Sequence, residues 1–210
     1  MPDVVEAGLS AAIEPLRDPQ LQILCRRFFQ FVDGADVAAY STAALIAQVE
    51  QMRAFAQVRA INTTLAQVRD ESDAPFTVGM IVTDDMPFLV DSVSGGLSLE
   101  GRSVRLIIHP QLVVRRDTNG QLLEILDLDV DEGRPAGAIA ESWMRIDMDR
   151  DYLNPDGQPS ANRLIQVLAD VRAANNDWQK MRAKANEIAA ELDASPPVSL
   201  PLAEVVEGAE

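Results

Sequence analysis

The chain has 210 residues, a formal net charge of −15 at pH 7 and a pI near 4.4, which at about 150 residues per domain means one or two domains and a core large enough to need no staples. Thirty-three acidic side chains against 18 basic ones would repel a phosphate backbone, so no nucleic-acid partner is expected. No apolar run approaches the ~20 residues of a membrane span, and Met1-Pro2-Asp3 has neither the basic region nor the apolar core of a secretory signal, so the expected setting is the cytoplasm.

The first third reads mostly as helix. Val4 to Leu16 is weakly amphipathic and is stopped by Pro15 and Pro19. Asp18-Pro19 then places an N-cap acid before a first-turn proline. Leu21, Leu24, Phe28 and Val32 follow at helical spacing, with Cys25, Phe29 and Phe31 widening the stripe. Gly34 is the expected C-cap. Ser41 can cap the next helix, on which Leu45, Val49, Met52 and Phe55 share a face. Val58-Arg59-Ala60-Ile61 fits either the tail of this helix or a short strand. Asp70, Glu71 and Asp73, followed by Pro75, mark a boundary.

The period then changes. Phe76 to Val82 is β-branched and apolar, the pattern of a buried strand. Asp84-Asp85-Met86-Pro87 reads as a strand-to-helix turn whose carboxylates cap the helix. That helix is expected to bury Phe88, Leu89, Val93, Leu97 and, at its far end, Leu99, and to end at Gly101. Gly95-Gly96 inside it costs roughly 1 kcal/mol per glycine relative to alanine, which points to close packing on a neighbour or to an early end. Val104 to Arg116 is a strand interrupted at Pro110, where a bend or an edge position is expected. Asp117-Thr118-Asn119-Gly120 is a hairpin turn, with Leu122 to Val130 as the returning arm. Gly133 to Gly137 is a loop. Ser142 to Met148 alternates as a half-exposed strand. Asn154-Pro155-Asp156-Gly157 is a turn and Ser160 a cap. From Ala161 to Leu192, Leu164, Leu168, Val171, Asn175, Trp178, Ala185, Ile188 and Leu192 keep near-heptad spacing. Unbroken, this helix would span about 48 Å; Asn175-Asn176 is the place for a kink or a fold-back.

The chain therefore divides into a mainly helical segment, residues 1–70, an α+β domain with a long C-terminal helix, residues 71–193, and a linker or disordered tail, residues 194–210. The middle order, strand–helix–hairpin–strand–helix, is close to a βαββα unit of ferredoxin-like or ACT-like type with an antiparallel sheet.

Few residues suggest chemistry. With one cysteine, Cys25, and one histidine, His109, a disulfide framework, a cysteine zinc site and a multi-histidine metal site are excluded. Residues 117–157 hold eleven acids against three arginines. Asp127, Asp129 and Asp131 resemble the opening of a calcium loop, but Glu132 replaces the required glycine and Ala138 the bidentate glutamate. Their alternation with Leu128 and Val130 favours a solvated strand face. His109 lacks a partner Ser or Cys in any nucleophile motif, and Cys25 sits on an apolar helix face as a core side chain. Asp84 and Asp85 lie where backbone N–H groups and a positive helix end converge, a common ligand position; simple capping is the alternative. No catalytic, cofactor-binding or metal-binding residue is assigned, which leaves a module for binding or assembly.

One run is specific. Ile81-Val82-Thr83-Asp84-Asp85-Met86-Pro87-Phe88-Leu89-Val90-Asp91-Ser92-Val93 resembles the N-terminal signature of the large-type NAD-specific glutamate dehydrogenases of bacteria. Ile108-His109-Pro110 is similar to that family's bent second strand. Glu141 to Asp147 with Asp149-Arg150 is similar to its third strand, and Ala169-Asp170-Val171-Arg172 with Asp177, Trp178 and Met181 to the helix after it. The resemblance implies an N-terminal ACT-like regulatory or assembly region of a much longer enzyme that converts L-glutamate, NAD and water to 2-oxoglutarate, ammonium and NADH. The NAD site and catalytic core would lie in downstream domains of the same polypeptide, with no cofactor in this segment. It also implies a short strand at Val58 to Asn62. An amino-acid sensor is the alternative function, with Asp84, Asp85 and Phe88 as candidate effector-binding residues. Many amino-acid-binding ACT domains carry Gly where Phe88 stands, and the bulk of Phe88 is expected to fill that pocket. Trp178, Ile188 and Leu192 are expected at a homo-oligomer contact, for which the apolar spacing of the last helix is the motive.

Overall fold

A computed structural model describes residues 2–38, 40–70, 76–149 and 161–194. The chain forms two compact units, the first ending at Leu168 and the second beginning at Ala169. The first unit opens with four helices, α1 (Pro2–Ile13), α2 (Pro19–Phe29), α3 (Gly34–Val37) and α4 (Thr42–Phe55). Six strands follow: β1 (Leu65–Asp70), β2 (Phe76–Asp84), β3 (Val104–Ile108), β4 (Gln111–Arg116), β5 (Leu122–Leu126) and β6 (Ala138–Asp149). Helix α5 (Leu89–Leu99) lies between β2 and β3, and α6 (Asn162–Ala194) runs from the first unit into the second.

The sheet is antiparallel, in the order β1-β2-β6-β4-β5, with β3 pairing the other end of the β6 flank that β4 occupies. This is an α+β fold of ACT-like type. β6, late in the chain, is central: it pairs β2 from Phe76↔Asp149 to Asp84↔Glu141. Odd-numbered residues of β6 face α1–α4. There Trp143 joins Val78, Met80, Val82, Ile108, Leu112 and Val114 in one core with Leu24, Cys25, Phe28, Leu45, Val49 and Met52. Fully burying one such side chain is worth about 1.5–3 kcal/mol. Even-numbered residues face α5 and the first turns of α6; a Cβ at Gly79 would meet Met148, Ile146 and Leu164.

Several local expectations hold. Asp18 caps α2, accepting from the N–H groups of Gln20 (2.9 Å) and Leu21 (3.3 Å), with Pro19 in the first turn. Ser41 caps α4 through the Ala44 N–H. The strand pair breaks at His109-Pro110, and the Pro110 carbonyl accepts from the Trp143 N–H (3.0 Å). Gly120, with φ +83°, turns β4 into β5, its N–H donating to the Asp117 carbonyl. Of the glycine pair in α5, Gly96 packs against Val167 and Gly95 faces open space.

Others are corrected. Gly34 does not cap α2, which ends at Phe29; it opens α3 behind the Asp33 cap, leaving Phe31 exposed. Val58–Ile61 is neither a helix tail nor a strand: α4 stops at Phe55 and Val58 makes one isolated bridge to Gln121. Leu65–Asp70 is a strand, β1, at the sheet edge, where half-exposure erases the apolar pattern. β5 ends at Leu126, short of Val130, because Asp127 and Asp129 turn aside to Arg27 and a 3₁₀ turn follows at Val130–Glu132. β6 is not half-exposed: helices cover both faces, so Glu141 to Met148 are all buried. α6 is one unbroken helix with no fold-back at Asn175-Asn176, and Asn175 bonds the Val171 carbonyl one turn back (3.0 Å). Glu71, Asp73, Pro75, the Asn154–Gly157 turn, Ser160 and the 195–210 tail lie outside the described residues.

The two adjacent glycines of α5 should respond in opposite ways. Gly95→Ala should stabilise by up to about 1 kcal/mol through helix propensity. Gly96→Ala puts a Cβ 2.7 Å from Val167 Cγ2 and should destabilise by about 1–3 kcal/mol, with Val167→Ala recovering part of the loss. Thermal unfolding followed by circular dichroism checks this; a more stable Gly96→Ala would contradict the contact.

Candidate functional site

At one end of the sheet the C-terminus of β2 meets the start of β6, the β4–β5 turn and the segment after α4. Arg59, from that segment, is fully buried. Its Nε and Nη2 donate to Glu141 Oε1 (3.0 and 2.7 Å), its Nη2 also to Asp84 Oδ1 (2.8 Å), and its Nη1 to the Thr63 carbonyl (2.7 Å). Arg116 of β4 donates from Nε to Glu141 Oε1 (2.6 Å), from Nη2 to Oε2 (2.9 Å) and from Nη1 to the Gly120 carbonyl (2.8 Å). The Trp143 indole Nε1 donates to Glu141 Oε2 (2.8 Å). One buried carboxylate thus takes five N–H donors. Burial pushes the Glu141 carboxyl up, but the bond from Arg116, the charges of Arg59 and Arg116 and the Trp143 bond outweigh it, so it titrates below the ordinary range.

The neighbouring turn is also held by protein groups. The Asp85 N–H donates to the Ala140 carbonyl (3.1 Å), and Asp85 Oδ1 accepts from Gln111 Nε2 (2.9 Å) and Ser142 Oγ (2.6 Å). The expected capping by Asp84 and Asp85 gives way to these bonds: the N-cap of α5 is Phe88, left-handed at φ 68° and without a side-chain cap bond. Phe88 fills no pocket, since 70% of it is exposed. The structure thus brings Asp84 and Asp85 into one polar cluster and leaves the Phe88 ring outside it. His109, beside them at the β3–β4 break, has a buried Nε2 with no hydrogen-bond partner among the described residues. Burial lowers its pKa, and the Asp85 charge opposes the shift.

The remaining candidates lie elsewhere. Asp127 is held by Arg27 at 2.9 Å and Asp129 lies 3.8 Å from the same guanidinium. Among the described residues no group of three His, Cys, Asp or Glu could hold a metal ion. Cys25 is a core side chain, its thiol pushed up to about 11 by burial and by the Glu50 charge. On β6 the buried Asp147 accepts from the Tyr40 hydroxyl (2.6 Å), and burial together with that bond raises the phenol to about 12. Trp178 and Ile188 are exposed on α6 and Leu192 is half-buried. Reasoning from the sequence alone singled out neither Arg59, Arg116 nor Glu141. The available signal was the row Glu141, Trp143, Arg145, Asp147, whose charges alternate about an aromatic residue on one strand face.

The antiparallel sheet and its covering helices are those of an ACT-like domain. Residues 24–156 match the family described as "Glutamate dehydrogenase, ACT1 domain", and the chain belongs to that family. The NAD-specific glutamate dehydrogenase of Halomonas elongata is 31% identical over 144 residues, which is 69% of this chain and 9% of that protein. The NAD-specific glutamate dehydrogenase of Pseudomonas aeruginosa is 33% identical over 108 residues, 51% of this chain and 6% of that protein. The matched region spans less than a tenth of either relative. No helix among the described residues is long and apolar enough to cross a membrane.

Removing the central charge should be costly. Glu141→Gln leaves the buried Arg116 guanidinium without its counter-charge and Arg59 with Asp84 alone, and should destabilise by about 3–5 kcal/mol at neutral pH, measured by urea unfolding. Because the Glu141 carboxyl titrates lower folded than unfolded, the unfolded chain takes up this proton first as pH falls. Its contribution is therefore complete above the ordinary value of 4.5 and is lost as pH drops through the lower folded value. Stability of the wild type should decline below that point, with a shallower decline in Glu141→Gln; equal slopes would remove the hub from the acid transition.

Proposed function

We propose that this chain is a non-catalytic regulatory and assembly domain of an NAD-specific glutamate dehydrogenase. The observation that carries this is the family match over residues 24–156, supported by the two relatives of that name. The whole enzyme would oxidise L-glutamate with NAD and water to 2-oxoglutarate, ammonium and NADH, in the cytoplasm. NAD would bind in downstream domains, and this segment would hold no cofactor.

The chemistry at the end of β2 agrees with such a role. Both lone-pair-bearing oxygens of Glu141 are occupied, Asp84 is tied to Arg59, and each guanidinium reaches a backbone carbonyl as well. Charges held this way fix backbone segments in place and offer no free base or nucleophile. Mixed with glutamate and NAD, the isolated chain should produce no NADH by absorbance. A turnover comparable to a whole dehydrogenase would overturn the proposal.

A second reading, an amino-acid sensor at Asp84, Asp85 and Phe88, draws support from the outward Phe88 ring, which does not fill the place an effector would take. Asp85 joins Gln111 of β4 to Ser142 of β6, so an effector ammonium competing for Asp85 would loosen two strands at once. Calorimetric titration with the common amino acids decides. Saturable binding abolished by Asp85→Ala would replace the first reading with this one, whereas flat titrations end it.

A further inference from the structure

The part of α6 in the second unit carries Ala174, Trp178, Met181, Ala185, Ile188 and Leu192 at alternating four- and three-residue steps. That is the a/d spacing of a two-stranded coiled coil, which returns apolar side chains to one seam every 3.5 residues. Three large members of the seam are open to solvent, Trp178 at 57% exposure, Met181 at 52% and Ile188 at 46%, while Leu192 is half-buried. Apolar groups of this size on one helical line mark a contact surface.

The charges beside the seam identify its occupant. Asp177 precedes Trp178 at a g position, and Arg182 follows Met181 at the e position of the next heptad. In a parallel pair of identical helices in register, each g residue faces the e residue one heptad on in its partner. Asp177 of each copy would then meet Arg182 of the other, twice over. The antiparallel alignment that matches all six seam residues does the reverse, facing Lys184 with Lys184 and Asp177 with Glu191. Like charges so placed are unfavourable. Within the chain Asp177 pairs with the exposed Lys180 (3.1 Å), a contact worth little.

We propose that a second copy of this chain lays its own α6 along this seam, parallel and in register, so that Trp178 meets Trp178, Met181 meets Met181 and Ile188 meets Ile188 across a two-fold axis. The inference rests on the assembly role proposed above and gives it a geometry. It is independent of the regulatory and non-catalytic parts of that proposal.

The test is sedimentation equilibrium on the 210-residue chain over a wide concentration series. The wild type should reach the mass of a dimer. Ile188→Asp should remain monomeric while the buried Cys25 thiol stays protected from thiol reagents, which shows that the first unit is still folded. Arg182→Asp should weaken association several-fold, and the double exchange Asp177→Arg with Arg182→Asp should restore it. Ala185→Cys should form a disulfide-linked dimer under mild oxidation, since only the parallel register sets residue 185 against itself. A wild type that stays monomeric throughout, or a dimer indifferent to Ile188→Asp, overturns the seam. Failure of the charge exchange to restore association overturns the parallel register. None of these outcomes touches the NADH measurement, so the two proposals fail separately.

Discussion

A carboxylate with no access to water, such as that of Glu141, persists in a protein interior only when opposite charge and hydrogen bonds replace its lost hydration. Here two arginines and an indole supply both. Arg59 comes from the segment after α4, Arg116 from β4, and Trp143 from β6 itself. Through the same guanidinium groups the hub reaches the carbonyls of Thr63 and Gly120 and the carboxylate of Asp84. Five stretches of chain are thus registered on one side chain. The net charge of Arg59, Arg116, Glu141 and Asp84 is zero, which is what allows so many ionised groups to be buried together.

Around this hub the rest of the first unit is organised by coverage. β6 is central and sheathed on both faces, so its odd-numbered side chains had to be accommodated beneath α1–α4. Trp143 contributes area there, while Glu141, Arg145 and Asp147 are charged. Asp147 gains the Tyr40 hydroxyl, which ties the segment ahead of α4 to the far end of the strand from Glu141. The lead-in helices are therefore bound to the sheet by polar contacts as well as by the apolar core. In the proposed role, a rigid plate of this kind would transmit displacement between neighbours without taking part in chemistry itself.

Much of this was legible in the residues, for reasons that are local. An acid before a proline can do little other than cap α2. Asn-Gly after Asp117 demands a tight turn, and Gly96 had to be small because something lay against it. What stayed hidden depends on partners distant in the chain. β1 reads as Leu-Ala-Gln-Val-Arg-Asp, with no clean alternation, because an edge strand meets solvent on two sides. β6 alternates polar and apolar residues in the manner of a half-exposed strand. Nothing in its own sequence discloses that Arg59 and Arg116 arrive to neutralise Glu141, 82 and 25 residues away. For the same reason Asp84 and Asp85 read as helix caps when their bonds run to Arg59, Gln111 and Ser142. The outward ring of Phe88 was equally hidden, since it follows from a left-handed backbone at a residue that usually avoids one.

The strand order β1-β2-β6-β4-β5 also has a bearing on synthesis. As the chain leaves the ribosome, β1 with β2 and β4 with β5 emerge as two separate hairpins whose inner edges do not match each other. Both wait for residues 138–149 to insert between them. Until then Val78, Val82, Leu112 and Val114 have no lid of neighbouring strand, and Arg59 and Arg116 have no Glu141. Such exposed edges and long-range pairings slow folding and invite association with other chains. The nascent protein therefore passes through an interval, ended only when β6 is made, in which both halves of this sheet are open to the wrong partner.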